Sequence, residues 1–424
     1  MRFAFVTPRY GAEIPAGAEH ACRLLAEQLS DRHQVEVLTT CARNPLTWAN
    51  DYSEGADRVR GVLVRRFTVN QPHDHAAFQQ VSSRVFEGPH GSADEQEWVR
   101  RLGPSSPGLI DYLKRLQRSY DAVVFFSLYH ATTVLGVAAA PERSVLFPYL
   151  QLNPALRFGI WADVFRAVRA VGYLSAAERR LAHQFLRVAP PGEEVVGIGV
   201  DMQPQQTYPR HQQDPADTVS DEDDQSGASP ETMPAADYLA GRGVLFRRRN
   251  RLHEPFVVYG GRVEPDNGCE EMLEYFDGYA AGNGDMRLVL TGVKLMKVPE
   301  EPYLHMPGVL PDRERIMAYE AAEVTLAPDP DDLLALPVLE SLAVGTPVLA
   351  SARNEAAVDH CRSANAGLYY ANRDEFVDAL RLMLTDRRLR ERLGENGRQY
   401  VRQHHDWDAV LSRFERLVTR VRGR

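Results

Sequence analysis

The stretch from Asp329 to Ala350 predicts a loop, a helix and a strand, in that order. Pro337 suits the first turn of a helix, where the missing N–H group of proline costs nothing. Gly345 is a typical helix stop, and an extended apolar run follows it at Thr346–Ala350. Because another short apolar run precedes the loop, the pattern indicates one strand–helix–strand unit of a parallel sheet.

Two acidic residues frame the start of this predicted helix. Asp332 lies in the loop before it, and Glu340 lies one turn inside it. The free N–H groups near Leu336, Pro337 and Val338, together with the positive end of the helix dipole, favour an anion such as a phosphate. Two carboxylates beside such an anion could accept hydrogen bonds from the hydroxyl groups of a nucleotide sugar. The structural alternative is a capping aspartate and a solvated glutamate, and spacing alone favours that alternative.

The run Glu340-Ser-Leu-Ala-Val-Gly-Thr-Pro-Val, with an acid eight positions before it, resembles a known signature. It is similar to the E-x7-E motif of retaining glycosyltransferases of GT-B fold, the group called glycosyltransferase family four. The resemblance implies that Asp332 holds the donor sugar and that Glu340 holds the nucleotide ribose. In this chain an aspartate occupies the first acidic position, where the family has a glutamate.

A second motif opens the predicted second domain. The run Gly260-Gly-Arg-Val-Glu-Pro-Asp-Asn-Gly268 resembles the family's G-R-x-x-x-x-K-G motif. The resemblance implies that Gly261 and Arg262 bind the donor diphosphate, and an arginine can hold phosphate oxygens with two parallel hydrogen bonds. Asn267 stands where the family has a lysine, so this position keeps a hydrogen-bond donor but carries no charge.

The first residues predict a strand, a loop, an amphipathic helix and a second strand, as in an open parallel sheet. Ligands bind at the carboxyl ends of strands in such sheets. Within the loop, Ala16-Gly17-Ala18-Glu19 resembles the family's G-G-x-E loop. The resemblance implies that Gly17 lets the backbone approach a phosphate or an acceptor, and a simple turn glycine is the alternative.

A third motif departs from the family at its central residue. Pro148-Tyr-Leu-Gln-Leu-Asn-Pro154 resembles the pattern P-x-L-H-D-E-P, with Gln151 in place of the histidine that faces the reaction centre. A glutamine can hydrogen-bond a sugar hydroxyl but cannot titrate. His130 lies on a neighbouring predicted loop. Two interpretations of it stay open, compensation for the missing histidine and an ordinary polar loop residue.

The order of these motifs predicts an α/β fold with two Rossmann-like domains facing across a cleft. The resemblance implies that residues 1–202 form the acceptor side and that residues 244–403 form the nucleotide-sugar donor side. Residues 203–243 are rich in Gln, Pro, Asp, Ser and Thr, which is typical of a flexible acidic linker. We expect an irregular segment at residues 71–107. A last helix within residues 404–424 resembles the family's crossover back to the first domain.

Composition limits the partners of the chain. The net charge of −9 argues against a nucleic-acid binder. Four cysteines with no C-x-x-C pair predict reduced thiols in a cytoplasmic protein. No apolar run is long enough to span a bilayer. The arginines at the end of the chain favour a solvated helix face, with peripheral contact to an anionic membrane surface as the alternative.

We therefore expect a retaining glycosyltransferase that moves a sugar from a nucleoside-diphosphate sugar to an unknown acceptor, with no cofactor. Asp329-Pro-Asp331 mimics a metal-binding D-x-D motif, but we expect turn chemistry there and no metal. The catalytic candidates are Arg262, Asp332, Gln151 and His130. The second hypothesis is a catalytically silent homologue that binds a nucleotide or a sugar, or acts as a partner subunit in a homo- or hetero-oligomer. The third is an epimerase or phosphorylase of the same fold.

Overall fold

The computed structural model describes residues 1–14, 17–186, 189–201, 243–282 and 286–422. The linker predicted at residues 203–243 lies outside the described residues, except for Gly243. The chain divides into two units, which are described separately below. The first unit comprises Met1–Gly199, Asp331–Leu334 and Trp407–Arg424, and the second comprises Val200–Pro330 and Ala335–Asp406.

Short apolar runs build the sheet of the first unit. Its described strands are β1 (Arg2–Val6), β2 (Gln34–Thr40), β3 (Gly55–Val59), β4 (Val62–Phe67), β5 (Ala122–Phe126), β6 (Ser144–Phe147), β7 (Ala170–Tyr173) and β8 (Glu193–Val195). They pair in the order β3-β4-β2-β1-β5-β6-β7-β8. Every pairing is parallel except that of β3 with β4. β1 lies in the middle, and all residues of β5 beside it are buried, as expected for a parallel strand covered on both faces.

The helices of this unit pack against the sheet or against one another. They are α1 (Gly17–Ser30), α2 (His75–Glu87), α3 (Ser92–Leu102), α4 (Pro107–Leu116), α5 (Ala131–Ala139), α6 (Ile160–Ala167) and α7 (Ala176–Leu186). The predicted strand–loop–helix–strand start is therefore present, with α1 between β1 and β2.

The expectation that residues 71–107 are irregular is wrong, because α2 and α3 occupy most of this segment. The side chain of Asp74 accepts a hydrogen bond from the N–H group of Ala77 and caps α2. Trp98 of α3 is buried and donates its indole N–H to Ser82 of α2. The helices therefore depend on burial against each other and on the core, which local composition does not reveal.

The last helix of the chain, Trp407–Arg422, belongs to the first unit, and we call it the terminal helix. Phe414 on this helix contacts the rings of Phe3 and Phe5 in β1, with centroids 5.5 and 5.9 Å apart. Arg413 donates a hydrogen bond to the carbonyl oxygen of Val196. Arg416 and Arg420 both pair with Glu194 of β8. These three arginines therefore hold the helix against its own unit.

The sheet of the second unit is parallel throughout its described strands. They are β9 (Phe256–Gly260), β10 (Arg287–Thr291), β11 (Leu304–Gly308), β12 (Val324–Ala327), β13 (Val348–Ser351) and β14 (Gly367–Tyr370), in the order β11-β10-β9-β12-β13-β14. β11 is an edge strand that pairs in parallel with β10. The helices are α8 (Cys269–Ala280), α9 (Asp312–Ala321), α10 (Leu336–Val344), α11 (Glu355–Ala364), α12 (Arg373–Thr385) and α13 (Arg387–His404).

The loop–helix–strand unit predicted at residues 329–350 is present. α10 has Pro337 in its first turn and ends at Gly345, whose φ of 84° is in the left-handed region that favours glycine. β13 then pairs in parallel with β12. Across the described parts of both units, no helix combines the length and the apolar character that crossing a membrane requires.

A buried carboxylate in α3 allows a test of the structure of residues 71–107. Glu95 of α3 accepts hydrogen bonds from the N–H groups of Gly159 and Ile160, each 3.0 Å long, at the start of α6. We expect Glu95→Ala to lower the free energy of unfolding by about 2–3 kcal/mol, because the N–H groups of Gly159 and the buried Ile160 lose a buried, charged acceptor. The control is Glu97→Ala, which removes exposed ion pairs with Arg100 and Arg101 and should cost about 0.5 kcal/mol or less. Equal losses in urea denaturation would contradict this account of α3.

Candidate functional site

The turn after β9 is held together by one backbone carbonyl group. The carbonyl oxygen of Arg262 accepts hydrogen bonds from the hydroxyl of Tyr259 at 2.8 Å and from the side-chain amide of Asn267 at 3.2 Å. The thiol of Cys269 approaches the same oxygen at 3.7 Å. Asn267 is buried. Its amide group therefore fixes the shape of the turn that presents Arg262.

The loops that follow neighbouring strands meet closely at this edge of the sheet. A Cβ atom on Gly292, after β10, would overlap the carbonyl oxygen of Gly261, after β9. A Cβ atom on Gly268 would lie 2.7 Å from the carbonyl oxygen of Pro328, after β12. Glycine is therefore required where these backbones pack against one another. The close packing brings the turn with Arg262 beside the chain that leads toward α10.

The side chain of Arg262 is accessible to a ligand. It is 58% exposed, and its Nη2 atom lies 2.9 Å from Oε1 of Glu264. An exposed ion pair of this kind contributes little to stability. The guanidinium group can therefore exchange Glu264 for a more highly charged anion without a large loss in folding free energy.

The start of α10 offers backbone donors. Ala335 before it has a φ of 51° and makes no side-chain capping bond. The N–H groups of Leu336 and Val338 lie in the first turn, where no carbonyl of the helix can accept from them. Pro337 between them has no N–H group. This helix end therefore has two N–H donors without an acceptor inside the helix, at the positive end of its dipole.

Glu340 of α10 is not a solvated surface residue. Only 6% of its surface is exposed, and its carboxylate is bound by Arg315 of α9. Nε of Arg315 donates to Oε2 at 3.0 Å, and Nη2 donates to Oε1 at 2.6 Å. Burial alone would lower the pKa of Arg315, but the charge and hydrogen bonds of Glu340 raise the pKa above its ordinary value. Arg315 therefore keeps its positive charge beside this carboxylate.

The first acid of the predicted motif lies in the other unit. Asp332 belongs to the short segment Asp331–Leu334 of the first unit, whereas Glu340 belongs to the second. The carboxylate of Asp332 accepts a hydrogen bond from the N–H group of Leu334 at 3.1 Å. Asp329 is close enough to raise the pKa of Cys269, after the larger effect of burial.

In the first unit, polar residues gather where β1 and β5 end. Gly17 starts α1 with a φ of 82°. Two residues later, Oε1 of the buried Glu19 accepts hydrogen bonds from Nε and Nη2 of Arg9, at 3.0 and 2.8 Å. Arg9 also donates to the carbonyl oxygen of Arg43. The predicted position of Gly17 at the carboxyl edge of the sheet is thus beside a fixed ion pair.

His130 lies next to this pair, at the start of α5. Its Nδ1 atom is 2.8 Å from the hydroxyl of Ser127, and its ring meets the edge of Trp48 with centroids 5.9 Å apart. Burial lowers the pKa of His130 to about 4, with Glu19 opposing that shift and Arg9 adding to it. His130 is therefore a neutral hydrogen-bonding group near pH 7 and not a cation.

The loop that carries Gln151 is fixed by its backbone. The hydroxyl of Tyr129 donates to the carbonyl oxygen of Gln151 and accepts from its N–H group, at 3.1 and 3.2 Å. Glu178 accepts from the N–H groups of Leu150 and Leu174. Burial raises the pKa of Glu178 to about 7, although these hydrogen bonds act in the opposite direction. The side chain of Gln151 itself is exposed and available.

Sequence analysis missed several residues that shape these sites, namely Arg315, Tyr259, Gly292 and Glu178. Arg315 and Glu340 are far apart in the chain, and no local pattern connects them. Glu178 did carry a signal, because Ser175 and Glu178 have the spacing of a capping box, and the hydroxyl of Ser175 indeed accepts from the N–H group of Glu178. Glu178 also accepts a hydrogen bond from Leu150 in the loop of Gln151, and this contact depends on the fold.

Residues 245–400 match the family described as glycosyl transferases group 1. A relative, the sulfoquinovosyl transferase SQD2 of Arabidopsis thaliana, is 27% identical over 170 residues. This match spans 38% of the chain and only 32% of the relative, so the chain aligns with about a third of that protein.

Solved structures resemble the chain over nearly its full length. HepE of Anabaena, in complex with UDP and glucose, has a TM-score of 0.67 and 14% identity, and the match covers 99% of both chains. The sucrose-phosphate synthase of Thermosynechococcus elongatus has a TM-score of 0.64 and 14% identity, with 99% of this chain and 98% of that chain covered. At this identity the likeness concerns the fold.

The two parallel sheets with their helices and these structures confirm the predicted fold class, an α/β protein of GT-B type. The range that matches the glycosyl transferases group 1 family, residues 245–400, includes both motif stretches, Gly260–Gly268 and Glu340–Val348. Within the described residues, no group of three or more His, Cys, Asp or Glu side chains could hold a metal ion.

The neutral state of His130 gives a pH test. The ordinary pKa of 6.5 applies to the unfolded chain, and the folded protein lowers it to about 4. As the pH falls through this range, the unfolded state binds a proton that the folded state does not, so the folded state loses stability. We expect the wild type to lose more free energy of unfolding than His130→Gln between pH 6.5 and 4.5.

The same titration can be followed directly by NMR of the imidazole ring. We expect no change in the His130 signals between pH 8 and pH 5. Full titration near pH 6.5 would contradict a neutral, desolvated ring.

Proposed function

We propose that this protein is a retaining glycosyltransferase that moves a sugar from a nucleoside-diphosphate sugar to an acceptor. The main support is the position of Glu340, a buried carboxylate bound by Arg315, one turn inside a helix whose first N–H groups have no acceptor within the helix. This helix lies within the residues that match the glycosyl transferases group 1 family. In this arrangement the helix end suits a diphosphate and Glu340 suits the hydroxyl groups of a ribose. The structures of HepE were solved in complex with UDP and glucose and in complex with UDP-glucose, and UDP-glucose is a nucleoside-diphosphate sugar.

The leaving diphosphate needs positive charge when its bond to the sugar breaks. Arg262 supplies a guanidinium group, and Leu336 and Val338 supply backbone N–H groups. Such preorganised donors stabilise the charge that develops on the leaving oxygen. The acceptor oxygen forms the new bond on the face from which the diphosphate leaves, and the acceptor proton goes to the diphosphate. This scheme needs neither a protein nucleophile nor a metal ion.

The first unit supplies the remaining candidates. We propose that the edge with Gly17, His130 and Gln151 receives the acceptor, because neutral side chains there can orient hydroxyl groups. Neither His130 nor Gln151 titrates near neutral pH, so they act as hydrogen-bonding groups. Asp332 keeps the assignment implied by the resemblance, contact with the donor sugar.

One observation favours the silent homologue as a second candidate. Asn267 stands where the family has a lysine, and its amide group is already bound to the carbonyl oxygen of Arg262. The site therefore carries one positive charge fewer than the motif implies. A protein of this kind would bind a nucleotide and transfer nothing.

The cytoplasmic location stays a prediction. The four buried free cysteines agree with a reducing compartment such as the cytoplasm.

The deciding experiment uses the purified full chain. A thermal-shift screen with UDP, GDP, ADP and TDP and their sugars identifies the base, and the best donor is then offered with simple glycosides as acceptors. Transfer that keeps the anomeric configuration of the donor, seen by proton NMR, supports the proposal. Inversion of the configuration contradicts it. Binding without hydrolysis or transfer, after a wide acceptor screen, supports the silent homologue.

Arg262 provides a mutational test of the diphosphate site. We expect Arg262→Ala to reduce kcat/KM by about 100- to 1000-fold, because a charged donor to the leaving group is lost. The fold should survive, since the side chain is largely exposed. Arg381→Ala is a matched control, because Arg381 is also an exposed arginine of the second unit and pairs with Asp378. Equal activities for both variants would remove Arg262 from the site.

A further inference from the structure

The ion pair between Arg315 and Glu340 links two helices at the edge of the second unit. Arg315 lies on α9, and its side chain is 20% exposed. It donates from two nitrogen atoms to the two oxygen atoms of Glu340, and from its third nitrogen, Nη1, to Asp312 at 2.9 Å. Each of the three nitrogen atoms thus donates a hydrogen bond, and two of these bonds are directed at a single carboxylate.

The geometry of this pair restricts Glu340 in a particular way. A planar guanidinium group that bonds both carboxylate oxygens aligns the two planes and fixes the rotamer of the glutamate. Each carboxylate oxygen can accept about two hydrogen bonds, so one position on each oxygen is left. Those two positions suit two donors that are close to each other and held at a fixed spacing.

A pair of neighbouring hydroxyl groups on a ring has this form, and the ribose of a nucleotide carries one. We propose that Arg315 is a positioning residue, which holds the carboxylate of Glu340 so that its remaining lone pairs accept the 2′- and 3′-hydroxyl groups of a ribonucleoside diphosphate. This inference rests on the proposed function, since it assumes that a nucleotide binds at Glu340. It adds that the site selects ribonucleotides over deoxyribonucleotides.

The competing explanation is that the pair only joins α9 to α10. Breaking a buried ion pair by removing one partner leaves an uncompensated charge and destabilises a protein. A purely structural role would therefore weaken the binding of every nucleotide by the same factor. A positioning role weakens the binding of nucleotides that have both hydroxyl groups and leaves analogues without them nearly unchanged.

The experiment measures this difference by isothermal titration calorimetry. The ligands are the nucleoside diphosphate that binds best to the wild type and its 2′,3′-dideoxy analogue. In the wild type we expect the diol to tighten binding by about 10- to 100-fold, the range for hydrogen bonds to a charged group. In Arg315→Met this ratio should fall to about threefold or less, while the affinity for the dideoxy analogue stays within about threefold of the wild-type value.

Arg249→Met is the matched control. Arg249 forms an exposed ion pair with Glu314, also on α9, at 3.0 Å. Its loss removes an arginine contact to the same helix without touching Glu340, so the ratio of affinities should stay as in the wild type. Should Arg315→Met fail to fold, Arg315→Lys keeps a cation but has no planar fork, and the ratio should then fall at least threefold.

The outcomes separate the two proposals. In the first outcome the wild type binds nucleoside diphosphates, but the ratio of its affinities for the diphosphate and the dideoxy analogue is the same in Arg315→Met, or in Arg315→Lys if only that variant folds. This outcome overturns the positioning role alone. A wild type that binds both ligands equally well also overturns it and removes Glu340 from the ribose. A wild type that binds no nucleoside diphosphate overturns the proposed function, and the positioning role with it.

Discussion

In both sheets the strands that cross the core run parallel, so each of them is followed by a loop that leaves at the same edge. The polar residues of those loops are brought together although they are distant in the chain. In the second unit the loops after β9, β10 and β12 are packed so closely that glycines are required between them. This packing holds the turn of Arg262 rigid, and a rigid turn can present a charge without losing much entropy when a ligand binds.

The two units use their polar edges differently. In the second, charge dominates, with an exposed arginine, a helix end and a buried ion pair. In the first, Glu19 and Arg9 satisfy each other, and the neighbouring His130 is neutral. A charged edge is suited to a phosphate-bearing molecule, whereas a neutral hydrogen-bonding edge is suited to hydroxyl groups. The division of labour that we propose between donor and acceptor follows from this difference in electrostatics.

Features that depend on neighbouring residues could be predicted from the sequence of this chain, whereas features that depend on contacts between distant residues could not. The loop, helix and strand at residues 329–350 could be predicted because proline, glycine and apolar periodicity act locally. α2 and α3 could not, because Trp98 and Glu95 are satisfied by contacts with other elements. The positions of Arg262 and Glu340 came from a resemblance. Their partners, Tyr259 and Arg315, could not be found in this way, since side-chain contacts between separate elements leave no pattern in the sequence.

The terminal helix has a consequence for how the protein is made. Phe414 packs against Phe3, Phe5 and Phe147, so strands that precede the second unit in the sequence share their core with a helix that follows it. During synthesis, domains usually fold as they leave the ribosome, from the N-terminus onward. Here the first unit cannot close its aromatic core until the whole second unit has been translated. Until then the apolar surface of β1 that Phe414 covers stays exposed, and a chaperone would be of most use during this time.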